Sequence, residues 1–175
     1  MKRAIIALGC LVIAGPVLAQ SVGEKTGVNS ALGISPSTAD FVKEVAISDM
    51  FEIESNKLGK EKGNATEKAF ASHMVADHTK TSGELKELVR SGKVEAQLPT
   101  ALDSSHQGKL DKLKGKSGDD FRSEFDSMQV SAHKDAVSLF ERYAKGGDNA
   151  ELKNWAGKTL PALKHHLEMA ENLKK

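Results

Sequence analysis

The feature that most constrains the fold of this chain is a helical repeat of apolar residues in four long segments. These segments run from about Ser37 to Lys62, Asn64 to Ser91, Asp119 to Gly146, and Asp148 to the C-terminus. In each of them the apolar side chains recur with the 3.6-residue period of an amphipathic α-helix, so each helix has one stripe that must be buried. The sequence therefore predicts an all-α protein in which four helices share one core.

The breaks between these segments indicate how the helices connect. A short break at Gly63 separates the first two, and Gly146-Gly147 separates the last two, which predicts two antiparallel hairpins. The stretch from Lys93 to Gly118 is longer, with a break at Leu98-Pro99 and a short helix predicted for Asp103 to Leu113. Two hairpins joined by one long crossover are the plan of a ferritin-like four-helix bundle.

Local signals predict where two of the helices begin and where one bends. Asn64 with Glu67, and Asp148 with Glu151, have the spacing of a capping box, in which two side chains satisfy backbone N–H groups at a helix start. Pro161 lies inside the last helix and removes one backbone donor. We therefore expect a kink about one turn before this proline.

Residues 1–19 have the pattern of a secretory signal peptide. Lys2 and Arg3 precede an apolar run from Ala4 to Ala14, and the small-residue pattern Val17-Leu18-Ala19 marks the cleavage site. The run is shorter than the roughly 20 helical residues that span a bilayer, and no later segment is long and apolar enough. We therefore expect export to the periplasm, with no integral membrane segment once the signal is removed.

The mature chain is expected to be a tether followed by one domain. Residues 20–36, rich in Gly, Ser and Asn, predict a flexible tether, and residues 37–175 form the predicted bundle domain. Removing Lys2 and Arg3 leaves 23 basic and 24 acidic residues, so no nucleic-acid partner is expected. The only cysteine, Cys10, lies in the signal, which excludes a disulfide, a cysteine nucleophile and covalent haem attachment.

Four metal-capable side chains occupy positions where the helical period calls for apolar ones: Glu52, His78, His133 and His166, one on each helix. Burying an unpartnered polar group costs roughly 1–3 kcal/mol, so we expect the four groups to meet. Three imidazoles and a carboxylate suit a transition metal such as Zn²⁺, Fe²⁺, Mn²⁺ or Cu²⁺. Further polar residues are candidates to orient these ligands from behind: Asp77, Asp49 and Gln129.

A count of helical rise gives a rough test of whether these four groups lie at one height. Counted from Gly63, Glu52 and His78 differ in height by about 6 Å, and counted from Gly147 the two later histidines differ by about 7.5 Å. Those offsets oppose a single tight site unless helix tilt or a kink compensates. The alternative is a hydrogen-bonded polar layer that fixes helix register.

Catalytic motifs are missing from the sequence. None of the six histidines has Glu three residues before it, as di-iron bundle enzymes require, and no Gly-x-Ser-x-Gly motif is present. Haem held between a histidine and Met74 or Met169 is an unspecific alternative, because methionine at helical spacing usually fills the core. We expect a non-enzymatic protein: a metal-binding bundle, or an interaction module that meets a protein partner in the envelope under stress.

The buried histidines also predict a pH dependence. Without a carboxylate partner, burial should lower the pKa of a histidine below its ordinary value of about 6.5. The unfolded state then takes up protons first, so stability falls as pH drops from about 7 to 5. A hydrogen bond to Glu52 or Asp77 should instead raise the pKa and reverse the sign.

Four runs of this sequence resemble a bacterial family called domain of unknown function 4142: Phe41 to Glu54, His73 to His78, Phe125 to His133, and Leu160 to Leu167. The resemblance covers about Thr38 to Leu173. It implies a ferritin-like helical bundle in an exported protein, a kind often labelled a predicted outer-membrane protein. The family name carries no activity.

The recurring positions of that family map onto the polar residues singled out above. The resemblance implies a role for these residues: Glu52, Asp77-His78, His133 and Leu160-Pro161 with His166. This chain departs from the family at Ser127, where tyrosine usually follows Phe-Asp. Any role of that phenol is therefore missing here.

Overall fold

The computed structural model describes residues 28–175, and every regular element within them is an α-helix. The helices are α1 (Val28–Ala31), α2 (Thr38–Lys62), α3 (Ala65–Arg90), α4 (Ser104–Lys114), α5 (Gly118–Gly146) and α6 (Ala150–Leu173). The predicted all-α class is confirmed for this part of the chain. None of these helices is long and apolar enough to cross a membrane. The predicted signal peptide, residues 1–19, lies outside the described residues.

The capping box predicted at the start of α3 is confirmed. The side chain of Asn64 accepts a hydrogen bond from the backbone N–H of Glu67, and Glu67 Oε2 accepts one from the N–H of Asn64 at 2.6 Å. At the start of α2, Ser37 Oγ accepts from the N–H of Asp40. All three bonds satisfy backbone donors that the start of a helix leaves without partners.

The capping box predicted for α6 is wrong. Asn149, not Asp148, precedes the helix, and its side chain accepts from the N–H of Leu152 at 2.9 Å. Asp148 instead accepts hydrogen bonds from the hydroxyls of Thr38 and Tyr143. A tertiary contact thus outweighs the local pattern. The helix itself continues through Pro161.

The helices pack as two hairpins, α2 with α3 and α5 with α6. Lys62 at the end of α2 donates to backbone carbonyls just before α5, whereas Phe41 at its start stacks on Tyr143 near the end of α5. These two helices are therefore antiparallel. Trp155, early in α6, donates to Glu84, late in α3, so this pair is antiparallel as well. The connection that contains α4 joins the hairpins, and α4 contacts both α2 and α5.

Part of the predicted tether contacts the bundle. The single helical turn α1 packs on α5, where Ser30 Oγ lies 3.2 Å from Ser138 Oγ. Arg142 donates to the carbonyl of Ile34 at 2.7 Å. The packed structure therefore begins before Ser37.

Two apolar clusters hold the ends of the bundle. The first, called the Phe41 cluster, is built on Phe41, Val45, Leu85, Phe140, Tyr143 and Leu152. The second, called the Phe125 cluster, is built on Phe70, Ala71, Met74, Leu113, Phe121 and Phe125. Apart from Asp40 and Glu67, in the first turns of α2 and α3, the buried polar residues of the long helices lie between the positions of these two clusters. The core is thus apolar at both ends and polar in the middle.

The buried face of α2 is wider than its helical period predicts. The helical period of this segment predicts that Met50 and Ile53 face the core, but both are only half-buried, whereas Ile47 and Phe51 are buried. The reason is α4, whose His106 places its ring 5.5 Å from that of Phe51. A helix from the crossover covers a face of α2 that a four-helix plan leaves exposed.

Candidate metal centre

Three of the four predicted ligands meet in the centre of the bundle. The rings of His78, His133 and His166 lie 5.6 Å apart in every pairing, measured between centroids. One ligand nitrogen from each lies within 4.8 Å of those of the other two. All three are at most 3% exposed. These residues, from α3, α5 and α6, are called the histidine triad below.

Each ring of the triad is anchored through one nitrogen. Nδ1 of His78 lies 2.8 Å from Asp49 Oδ1, and Nδ1 of His133 lies 2.8 Å from the backbone carbonyl oxygen of Gln129. Because a carbonyl oxygen only accepts, Nδ1 of His133 must carry the proton and donate it. Such partners fix the ring orientation and the tautomer of a metal-ligating histidine.

The third ring is anchored from the opposite side. Nε2 of His166 lies 2.9 Å from Asp77 Oδ2, so its Nδ1 is the nitrogen left over. Asp49, Asp77 and Gln129, expected behind the ligands, thus contact one histidine of the triad each. Gln129 does so through its main chain, while its side chain bonds to α2.

The remaining nitrogens of the triad have no hydrogen-bond partner among residues 28–175. They are Nε2 of His78, Nε2 of His133 and Nδ1 of His166. A buried polar atom without a partner costs about 1–3 kcal/mol, and here three occur within one cluster. A single ion or small polar group placed among them would satisfy all three at once.

Glu52 lies beside the triad, although no oxygen of its carboxyl group joins the three-histidine group. It is 1% exposed, and its charge acts on both His78 and His133. Oε2 accepts a hydrogen bond from Asn56 at 2.8 Å, whereas Oε1 has no partner among the described residues. One carboxylate oxygen thus remains available next to the triad.

Two further residues belong to this polar layer and were not predicted from the sequence, Ser55 and Asn56. Asn56 donates to Glu52 and to the side-chain oxygen of Gln129, and Gln129 in turn donates to Ser55 at 3.3 Å. Both are fully buried. Their positions, three and four residues after Glu52, place them on its helical face, so the same periodicity points to them.

The height differences expected from the sequence are too large, because the turns are centred elsewhere. The first turn lies half a residue beyond Gly63, and the second lies at Asp148 rather than Gly147. Counted from these centres, the two candidate ligands of each hairpin differ by three residues, or about 4.5 Å. Imidazole side chains are long enough to span such an offset.

The histidines of the triad differ in proton affinity. Burial lowers the pKa of His133, and burial together with the neighbouring His78 and His133 lowers that of His166 to about 4 despite its bond to Asp77. The bond to Asp77 acts to raise the pKa, but burial outweighs it, so the predicted reversal of sign is wrong for His166. Burial also opposes the charged form of His78, but the hydrogen bond and charge of Asp49 outweigh it and raise the pKa. Burial raises the pKa of Asp49.

Both methionines considered for haem binding pack in the Phe125 cluster. Met74 is fully buried there, and Met169 packs against its edge. Their surroundings are those of core-filling side chains. A separate groove of about 520 Å³ runs between α4 and α5 and is lined by none of the predicted ligands.

The fold and the site together define a helical-bundle protein with a buried, polar histidine core. The chain belongs to the family described as Domain of unknown function (DUF4142), whose profile matches residues 23–173. This match confirms the resemblance based on the four sequence runs. No curated protein and no solved structure matches the chain.

Proposed function

We propose that the histidine triad binds one transition-metal ion. The ligands are His78 Nε2, His133 Nε2 and His166 Nδ1, with Glu52 Oε1 as the fourth. The observation that supports this most strongly is the set of three buried nitrogens without partners, each on a ring whose other nitrogen is held. An anchored ring with a free inward nitrogen is the usual arrangement of a metal-ligating histidine.

The distances fit a site that closes around its ion. Tetrahedral Zn²⁺ with Zn–N bonds of about 2.0–2.1 Å needs ligand nitrogens about 3.4 Å apart. The triad nitrogens lie within 4.8 Å of one another. Binding therefore requires the rings to move inward by up to about 1.5 Å, a shift that side-chain rotation supplies without moving the helices.

Charge also favours a cation here. Asp49 and Glu52 bury two carboxyl groups in the layer, and among the described residues neither forms an ion pair with lysine or arginine. A buried carboxylate without a counter-ion is costly. A divalent ion ligated by Glu52 and by His78, which Asp49 holds, compensates both groups.

The donor set and its surroundings suit retention of an ion rather than turnover. Three imidazoles and one carboxylate suit Zn²⁺, Cu²⁺, Fe²⁺ and Mn²⁺, and a ligand from every helix encloses the ion. We further propose that the bundle is of the ferritin-like type, supported by its single long crossover. Export to the periplasm is proposed from the signal pattern of residues 1–19.

Elemental analysis of the purified protein tests the proposal. Protein secreted by a bacterial host in metal-supplemented medium should retain about one transition-metal ion per chain, set by the single triad. His166→Ala should abolish retention. The matched control is His165→Ala, because the neighbouring His165 is 63% exposed and contacts only Glu168 among the described ion pairs. Wild-type protein without metal, or equal behaviour of the two variants, would exclude the proposed site.

A second candidate function is an interaction module that binds a protein partner in the envelope. The supporting observation is Leu32, 68% exposed, next to Ile34, 47% exposed, on the segment before α2. Periplasmic pull-downs with wild-type protein and a Leu32→Ser, Ile34→Ser variant test this candidate. Recovery of the same proteins with both baits would count against it.

A further inference from the structure

A second group of possible ligands lies between the triad and the solvent. It consists of His73 and Asp77 on α3 and His166 on α6, with one ligand atom of each within 4.8 Å of the others. Asp77 Oδ2 lies 2.9 Å from His166 Nε2 and 3.3 Å from His73 Nε2. The two imidazole rings are perpendicular, with centroids 5.5 Å apart.

Exposure decreases in steps along this group. The side chains of His73 and Asp77 are 46% and 39% exposed, whereas that of His166 is 4% exposed. His73 and Asp77 are four residues apart and so share one face of α3. Because His166 belongs to both groups, the exposed pair is joined directly to the buried triad.

We propose that His73 Nε2, Asp77 Oδ2 and His166 Nε2 form an outer loading site, where a divalent transition-metal ion binds before it reaches the triad. This inference rests on the proposed function, since it supplies the route to that site. Two imidazole nitrogens and a carboxylate oxygen suit the same ions as the triad. Partial exposure lets the ion arrive with part of its water shell and lose it stepwise.

The ring of His166 belongs to both groups. Its chemistry determines whether two ions bind at the same time or one ion passes from the outer group to the triad. A neutral imidazole has a single nitrogen with a free lone pair, because the other carries the proton. His166 therefore ligates through Nε2 at the outer site or through Nδ1 at the inner site. His166 therefore cannot ligate an ion at both sites at once, so the outer site is a transient site that the ion occupies before it reaches the triad.

Moving the ion from the outer site to the triad takes up one proton and releases one. When the ion leaves Nε2, that nitrogen takes a proton from water beside the exposed Asp77. Nδ1 gives its own proton to water as it ligates the ion, so the ring stays neutral. The new Nε2–H then donates to Asp77, which is the hydrogen bond present in the structure.

Stopped-flow uptake of Co²⁺ by apo protein, followed by visible absorption, tests the loading site. His73→Ala should slow uptake by about tenfold, the lower range for loss of a group next to a ligand. The final amount should remain one Co²⁺ per chain. His165→Ala is the matched control and should load at the wild-type rate. Wild-type uptake kinetics in His73→Ala would overturn the loading site, leaving His73 and Asp77 as a surface ion pair only.

An equilibrium measurement separates this inference from the proposed function. His133→Gln breaks the triad but keeps all three outer ligands, so it should bind one Co²⁺ weakly. The added change His73→Ala should remove that binding. Weak binding that survives the double change would overturn the outer site, whereas wild-type protein that retains no metal at all would overturn the proposed function first. If His133→Gln does not fold, the kinetic comparison still decides.

Discussion

The Phe41 cluster and the histidine triad lie in the same helical core but are held by opposite kinds of interaction. Phe41 stacks on Tyr143 with ring centroids 4.0 Å apart and meets Phe140 edge-on at 5.0 Å. This packing is apolar and leaves nothing unsatisfied. In the triad every ring is also buried, yet one nitrogen of each has no partner within residues 28–175.

The difference indicates where stability and function reside. Apolar contacts gain free energy from burial alone, at roughly 25 cal/mol per Å², and need no ligand. Unsatisfied buried nitrogens lower the stability of the metal-free protein. The protein recovers this free energy only when a ligand binds to them. The apolar clusters therefore hold the helices, and the polar layer makes the fold responsive to a ligand.

The largest effect is expected from removing the central ring of the Phe41 cluster. Phe41→Ala should lower the free energy of unfolding by about 3–5 kcal/mol, because it removes buried area and leaves a cavity. Urea unfolding measures the change. Leu32→Ala, at a side chain that is 68% exposed, is the control and should stay within about 0.5 kcal/mol of wild type. A loss below 1 kcal/mol for Phe41→Ala would contradict the assignment of stability to this cluster.

Metal should stabilise the polar layer independently of the apolar end. At a free concentration one hundred times Kd, an ion that binds only the folded state adds about 2.7 kcal/mol. Phe41→Ala should gain as much as wild type, because Phe41 precedes Glu52 by about 16 Å of helix and distant sites act additively. His166→Ala, which removes a ligand from both groups, should gain nothing. Thermal unfolding with and without Zn²⁺ provides the comparison, and a stabilised His166→Ala would show that the ion binds elsewhere.

A pair of helical glycines tests packing at the other apolar end. A Cβ added at Gly59 would lie 2.7 Å from Cζ of the fully buried Phe125, whereas at Gly83 it meets nothing within 4 Å. Gly59→Ala should therefore destabilise by about 1–3 kcal/mol. Gly83→Ala should stabilise by about 0.5–1 kcal/mol through higher helix propensity. Chemical denaturation of both variants measures this, and two changes of the same sign would argue against the close approach of α2 to α5.

The smallest effect concerns an acid buried beside the Phe125 cluster. Burial, with the nearby Glu67, raises the pKa of Asp126 from 3.8 to about 6. The folded state therefore binds the proton more tightly than the unfolded state. Above pH 6 the ionised Asp126 lowers the free energy of unfolding, and this penalty is progressively removed as pH falls from 6 to 3.8. Asp126→Asn should raise the melting temperature at pH 8, and this gain should be about halved at pH 5, which lies midway between the two pKa values.

The exposed Asp120, on the same helix, provides the control for that change. Asp120→Asn should give no gain at either pH, because no buried charge is relieved. Melting curves at pH 8 and pH 5 for both variants are sufficient. An equal gain from both would attribute the effect to net charge rather than to burial at Asp126.

The four helices of the two hairpins could be predicted because the sequence signals that mark a helix lie within a few residues of one another. Asn64 and Glu67 form the expected capping box, since the residues that make it are three apart on one chain segment. Asp148 was assigned wrongly because its partners, Thr38 and Tyr143, come from other helices. The burial of Phe51 was missed for the same reason, since α4 covers it. Local spacing carries no information about which distant element covers a face.

By itself the sequence determined that Glu52, His78, His133 and His166 face the core, because helical periodicity assigns each residue to a face. Only the tertiary structure decided how they meet there. It anchored His166 through Nε2 and the other two rings through Nδ1, and it left Glu52 outside the close group. The physical reason is range: a helical face is set by neighbours within a few residues, whereas a hydrogen bond forms only when separate helices agree in height and rotation to within a fraction of an ångström.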